Sequence, residues 1–229
     1  MRWTNIMELS EKTISILKNF SSINTQLLIN KGSIVRTVSP QKTILGEATI
    51  EEEFPFEFGI YELNKFLGVM SLFQDPDLYF NEHYITIKSG ITESKYYFTK
   101  PDMVFAPPAT TVPVENIVAE FTLGEGDYKS ILQGASVLSL PEITIEGKEG
   151  DIYVVAQDTK NATKNTFERK VTSSVHQPVS FRAIISVDNL KMMPASYDVK
   201  VSAKGIVYMK SSDKTMQYWI ACENNSKYE

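Results

Sequence analysis

Pro101-Asp102-Met103-Val104-Phe105-Ala106-Pro107-Pro108-Ala109-Thr110-Thr111-Val112-Pro113 places four prolines in thirteen residues near the middle of a 229-residue chain. Each proline fixes φ and removes a backbone donor, so the stretch reads as an extended connector between two halves. On its N-terminal side, residues 8–20 bring Leu9, Thr13, Ile16, Leu17 and Phe20 onto one helical face, and residues 61–72 do the same with Leu63, Phe66, Leu67 and Met70. On its C-terminal side, residues 125–138 align Tyr128, Ile131, Leu132 and Ala135. A shorter helix is expected from Val187 to Met193, stopped by Pro194.

Alternating or β-branched runs fill the rest. They lie at 25–30, 33–38, 43–50, 54–60, 77–81, 83–88 and 93–99, then at 115–123, 142–147, 151–156, 166–173, 178–185, 197–203, 206–211 and 215–222. Both halves therefore run helix, four strands, helix, three strands, with one leading strand added in the second. Ser15-Ile16-Leu17 recurs as Ser130-Ile131-Leu132. This is the signature of a duplicated α+β unit, and laying two helices on one face of a sheet in each copy is the economical packing.

Composition excludes several classes of function. Hydrophobic residues are 42% and charged residues 22%, which is ordinary for a globular chain, and no apolar run reaches the ~18 residues of a membrane span. With no apolar signal core at Met1–Met7 and Cys222 as the single cysteine, a soluble intracellular protein without a disulfide scaffold is expected. His83 and His176 have no partner at metal-ligand spacing, and neither a metal nor a cofactor is expected. Gly124-Glu125-Gly126-Asp127 lacks the third glycine and the Lys-Ser/Thr of a phosphate loop and reads as a helix entry. Asp75-Pro76-Asp77 is turn chemistry. No catalytic constellation is found, and an enzyme is not expected.

The charge is net negative, −5, which by itself argues against a nucleic-acid partner. Its distribution argues otherwise. Each expected helix carries an acid near its start and a lysine one turn later: Glu8 with Lys12, Glu62 with Lys65, Glu125 with Lys129, Asp188 with Lys191. Helix electrostatics accounts for each pair singly. Lys18 and Lys65 lie roughly opposite the apolar stripes of their helices beside Ser15 and Gly68, so outward faces with lysines among small polar residues would admit a long anion. The acids Glu51, Glu52, Glu53 and Glu57 gather on what reads as strand surface.

Met7–Phe20, Tyr61–Gly68 and Asn189–Pro194, in this order and spacing, resemble the sliding clamps of T4-like bacteriophages, and the resemblance runs over essentially the whole chain from Met7. It implies a DNA-clamp (processivity) fold of two similar domains, each with two helices packed on a β-sheet: residues 1–100, a connector at 101–113, and residues 114–229. Residues 1–6 precede the family's usual start, so Met7 is a candidate initiator. The resemblance also implies a non-enzymatic homotrimeric ring that encircles double-stranded DNA without sequence specificity. Such a ring tethers the phage DNA polymerase, is placed by an ATP-driven clamp loader, and in some relatives serves transcription factors. It would act in the cytoplasm of the infected bacterial host cell.

Carried over position by position, the resemblance makes Lys12, Lys18, Lys65, Lys129 and Lys191 DNA-facing, with Lys129 the least secure because Gln133 and Gly134 follow it. Subunits would join through Tyr96, Tyr97 and Phe98 of one copy and Phe167, Arg169 and Val171 of the next. Partner peptides would dock on Val104, Phe105 and Pro107 with Tyr218, Trp219, Ala221 and Cys222. The alternative is a β-rich, non-enzymatic phage assembly protein whose helix lysines are merely solvated.

Overall fold

The structure, a computed structural model, describes residues 6–108, 112–148, 150–161, 163–171 and 180–228. The chain divides into two compact units, Met1–Pro40 with Leu45–Ala109, and Gln41–Ile44 with Thr110–Glu229.

In the first unit the order is β1 (Ile6–Met7), α1 (Glu11–Ile23), β2 (Leu27–Ile29), β3 (Gly32–Val38), β4 (Ile44–Phe54), β5 (Phe58–Ile60), α2 (Leu63–Met70), β6 (Asp77–Phe80), β7 (Tyr84–Ser89) and β8 (Thr92–Tyr97). The strands form two antiparallel runs, β1-β6-β7-β8 and β5-β2-β3-β4. Helix α1 packs beside α2 and against β3, and their inner stripes, Ile16, Leu17 and Phe20 with Leu63 and Phe66, are buried, as are Leu27, Ile29, Val35, Leu78, Ile85 and Ile87 of the strands. Phe54, Phe56, Phe58, Phe80 and Phe98 add a cluster of mostly edge-on rings. Gly59 is required where β5 meets the start of the connector: a Cβ there would stand 2.6 Å from Val104 Cγ2 and 2.7 Å from the Thr99 carbonyl.

The second unit runs β9 (Ile117–Leu123), α3 (Glu125–Val137), β10 (Glu142–Lys148), β11 (Asp151–Gln157), β12 (Phe167–Val171), β13 (Phe181–Ser186), β14 (Tyr197–Ser202), β15 (Ile206–Ser211), β16 (Met216–Ala221) and β17 (Lys227–Tyr228). Again there are two antiparallel runs, β12-β11-β10-β13-β17 and β16-β15-β14-β9. Tyr128 and Ile131 of α3 line an apolar void of about 20 Å³ with Ile143, Ile145, Val154, Ile185, Val199 and Met209, and Ala135 is buried as well.

Three expectations need correction. The first helix starts at Glu11 and reaches Ile23, so Glu8 lies outside it. The expected 54–60 strand is two pieces, because Pro55-Phe56-Glu57 breaks the ladder between β4 and β5. The fourth helix is absent: Val187–Asn189 makes one 3-10 turn and the chain then runs irregularly to Ser196. Pro194 contributes, since it disfavours the α conformation at Met193 and offers no N–H to the Leu190 carbonyl, so a helix here would close only a few bonds of its own. The described part of the second unit thus has one α-helix where two were expected.

Candidate nucleic-acid interface

Helix α1 is entered through Ser10, whose hydroxyl accepts the Thr13 N–H at 3.2 Å. Glu52 reaches across from β4. Its carboxylate accepts the Ser10 N–H and, at 2.5 Å, the Thr13 hydroxyl. Burial pushes the Glu52 carboxyl up, but these hydrogen bonds outweigh it and hold it below the ordinary carboxylate value. Glu52 is therefore a helix cap, while Glu51, Glu53 and Glu57 are exposed as expected. With Thr13, Ile16, Leu17, Phe20 and Ile23 buried, the outer stripe of α1 is Glu11, Ser15, Lys18 and Ser22, with Lys12 exposed at its flank.

The other two helices present the same kind of stripe. On α2 the exposed residues are Asn64, Lys65 and Gly68; on α3 they are Glu125, Gly126, Lys129, Gln133, Ser136 and Val137. Lys65 Nζ lies 2.8 Å from Glu62, and Lys129 pairs with Glu125. Both pairs are solvent-exposed, so each is worth at most ~0.5 kcal/mol and yields readily to a competing phosphate. Lys191 is exposed on the irregular segment after the 3-10 turn. All five candidate lysines thus stand at the surface.

The candidate joining residues lie on two end strands, β8 in its sheet and β12 in its own. On β8, Tyr97 is 67% exposed and stacks at a tilt on Tyr84, whereas Tyr96 packs edge-on to Phe66 and donates to the Glu62 carbonyl. Phe98, just beyond, leans on Phe58 with ring centroids 4.4 Å apart. On β12, Val171 is buried and Arg169 pairs with Asp127 of α3 at 2.6 Å. Phe167 covers Gly134, where a Cβ would stand 2.5 Å from its ring. Gly134 therefore serves packing inside this unit.

Within the first unit, Val104 is buried, Phe105 exposed and Pro107 half-buried. Side chains hold this stretch: Gln26 accepts the Phe105 N–H at 2.8 Å, Asn24 donates to the Phe105 carbonyl at 3.4 Å, and Arg36 donates to the Pro108 carbonyl at 2.7 Å. Within the second unit, Trp219 is buried and donates to the Val112 carbonyl at 3.0 Å, Ala221 and Cys222 are half-buried, and Tyr218 points into the core. Neither Glu52 nor this trio of connector clamps was readable beforehand, because their targets lie 39 to 81 residues away in sequence. Among the described residues no group of His, Cys, Asp and Glu could hold a metal ion, and no helix is long and apolar enough to cross a membrane. His176 lies outside the described residues.

Residues 9–99 match the family described as DNA polymerase processivity factor. The chain is 29% identical over 222 residues to the sliding clamp of Vibrio phage KVP40, covering 95% of this chain and 99% of that one. It is 29% identical over 231 residues to the sliding clamp of Escherichia phage RB69, covering 97% and 100%. Over essentially its whole length the chain is thus similar to phage sliding clamps, and over residues 9–99 to the DNA polymerase processivity factors. The clamp fold is shared more widely. A structure of A. fulgidus PCNA bound to the C-terminal region of FEN-1 superposes with a TM-score of 0.72 at 14% identity, covering 97% of this chain and 98% of that one. Of the five lysines expected to face DNA, Lys18, Lys65 and Lys129 sit on exposed helix stripes, Lys12 at the flank of one and Lys191 on an irregular segment; the residues expected to join subunits sit on or beside strands at sheet ends.

Proposed function

We propose that three copies of this chain close head-to-tail into a ring around duplex DNA, so that a polymerase bound to the ring stays on its template. The observation that carries the proposal is the composition of the exposed helix faces: Lys18 with Ser15 and Ser22, Lys65 with Gly68, and Lys129 with Gln133 and Ser136, in a chain whose net charge is −5. Lysines spread among small polar side chains bind phosphates through long-range attraction and bridging water, without base readout, which is what sliding requires. Acids outside the ring would discourage DNA from binding elsewhere.

Closure of the ring is edge-to-edge pairing of β8 with β12 of the next copy, a heterologous contact that rotation closes. Partners are the phage DNA polymerase and an ATP-driven clamp loader in the cytoplasm of the infected host, with peptide anchors seated near Phe105 and Pro107. The chain contributes position and topology, and chemistry belongs to its partners. Primer extension tests the proposal: with loader, ATP and polymerase on a singly primed circle, addition of the protein should lengthen the products of a single polymerase encounter severalfold. Product lengths that do not change with the protein would contradict it. The assembly-protein alternative predicts no dependence on the loader.

A further inference from the structure

Three buried phenols meet under the segment that carries Lys191. Tyr197 and Tyr218 are fully buried and Tyr128 nearly so, and their rings pack edge-on at centroid distances of 6.0 and 6.1 Å. Their hydroxyls converge on one stretch of backbone. The Tyr128 hydroxyl lies 3.3 Å from the carbonyls of both Leu190 and Met192 and shares its one proton between them; Tyr197 donates to the carbonyl of Met193; and the Tyr218 oxygen accepts the Met193 N–H at 3.4 Å. Burial pushes all three phenols up, Tyr218 to about 12, so they remain protonated, Tyr128 and Tyr197 as donors to this backbone and Tyr218 as an acceptor.

These bonds meet carbonyls that a helix ending at Met193 would have left without an intrahelical partner. Pro194 has no N–H to offer the Leu190 carbonyl, the Met192 and Met193 carbonyls need partners from elsewhere, and a buried hydroxyl without a partner is costly as well. Each deficit meets the other. Leu190 is half-buried and Met192 buried, with Lys191 exposed between them, so anchoring the peptide groups on both sides of Lys191 sets the direction in which its side chain leaves the surface.

We propose that Tyr128, Tyr197 and Tyr218 are positioning residues that aim Lys191 outward, a polar substitute for the missing second helix of this unit. The proposal rests on the reading of Lys191 as a DNA-facing residue. The test uses the full chain with Tyr128→Phe, Tyr197→Phe and Tyr218→Phe, singly and together, since phenylalanine keeps the ring and removes only the hydroxyl. Amide exchange in residues 190–196, the Met193 amide above all, should quicken about five- to tenfold while β9 and β14 keep their protection. Unchanged exchange in that segment, or a rise spread through the whole unit, would overturn the anchoring.

Retention on DNA across a salt series supplies the second readout. The combined variant should weaken retention as Lys191→Ala does and add nothing when Lys191→Ala is already present. Additive losses would overturn the link to Lys191. If Lys191→Ala alone leaves retention unchanged, the DNA-facing reading of Lys191 fails, and the exchange data still decide the anchoring.

Discussion

Gly134 shows how a single position can mislead. In sequence it reads as an unfilled place on a cationic helix face; in the structure its missing Cβ leaves room for the Phe167 ring. Alanine normally favours a helix interior over glycine by ~1 kcal/mol, but here its methyl would overlap the ring, and overpacking costs ~1–3 kcal/mol. Gly134→Ala should therefore destabilise the protein in urea unfolding, and adding Phe167→Ala should return the alanine's helix preference as a gain. Destabilisation that persists without the ring would disprove this contact.

Glu52 acts in the opposite direction, as a stabilising carboxylate. Its folded-state pKa lies below the ordinary 4.5, so the stability it adds is complete above 4.5 and is lost as pH falls through the lower folded value. Glu52→Gln should cost ~1–2 kcal/mol at neutral pH, where two hydrogen bonds lose their ionised acceptor, and the gap to wild type should close on acidification below 4.5. A gap independent of pH would remove the charge from the explanation.

At the scale of elements, the apolar stripes of α1, α2 and α3 and nearly every strand were legible from periodicity, because each buries one face against a sheet. The fourth helix was not. Its seven residues, Val187–Met193, run into Pro194, and two of the three tyrosines that hold the segment instead, Tyr128 on α3 and Tyr218 on β16, come from distant parts of the chain. The lysine positions were readable for the same reason as the stripes, being their complement on the helix. What sequence spacing could not show is that Lys65 and Lys129 already hold an acid of their own helix. Removal of Lys18 or Lys65 should change the fold little, within about 0.5 kcal/mol, because both are exposed. Each replacement by alanine should lower the magnitude of the salt dependence of DNA retention by about 0.9 for every phosphate left without its lysine. Identical slopes across the variants would place the DNA-facing surface elsewhere.

For the molecule as a whole, the net charge of −5 argues against DNA only if the charges are evenly spread over the surface. Glu51, Glu53 and Glu57 stand exposed on or beside strands, while Lys12, Lys18, Lys65 and Lys129 stand on exposed helix faces. A ring needs no tight contact with its DNA, only closure, so affinity measured on short linear duplexes is a poor guide to function. Topology is the direct test. The protein should be loaded with ATP and its loader on nicked circular DNA, and retention followed before and after the circle is cut once. Stable retention on the circle with rapid loss on linearisation is the result this account predicts; retention that survives the cut would contradict it.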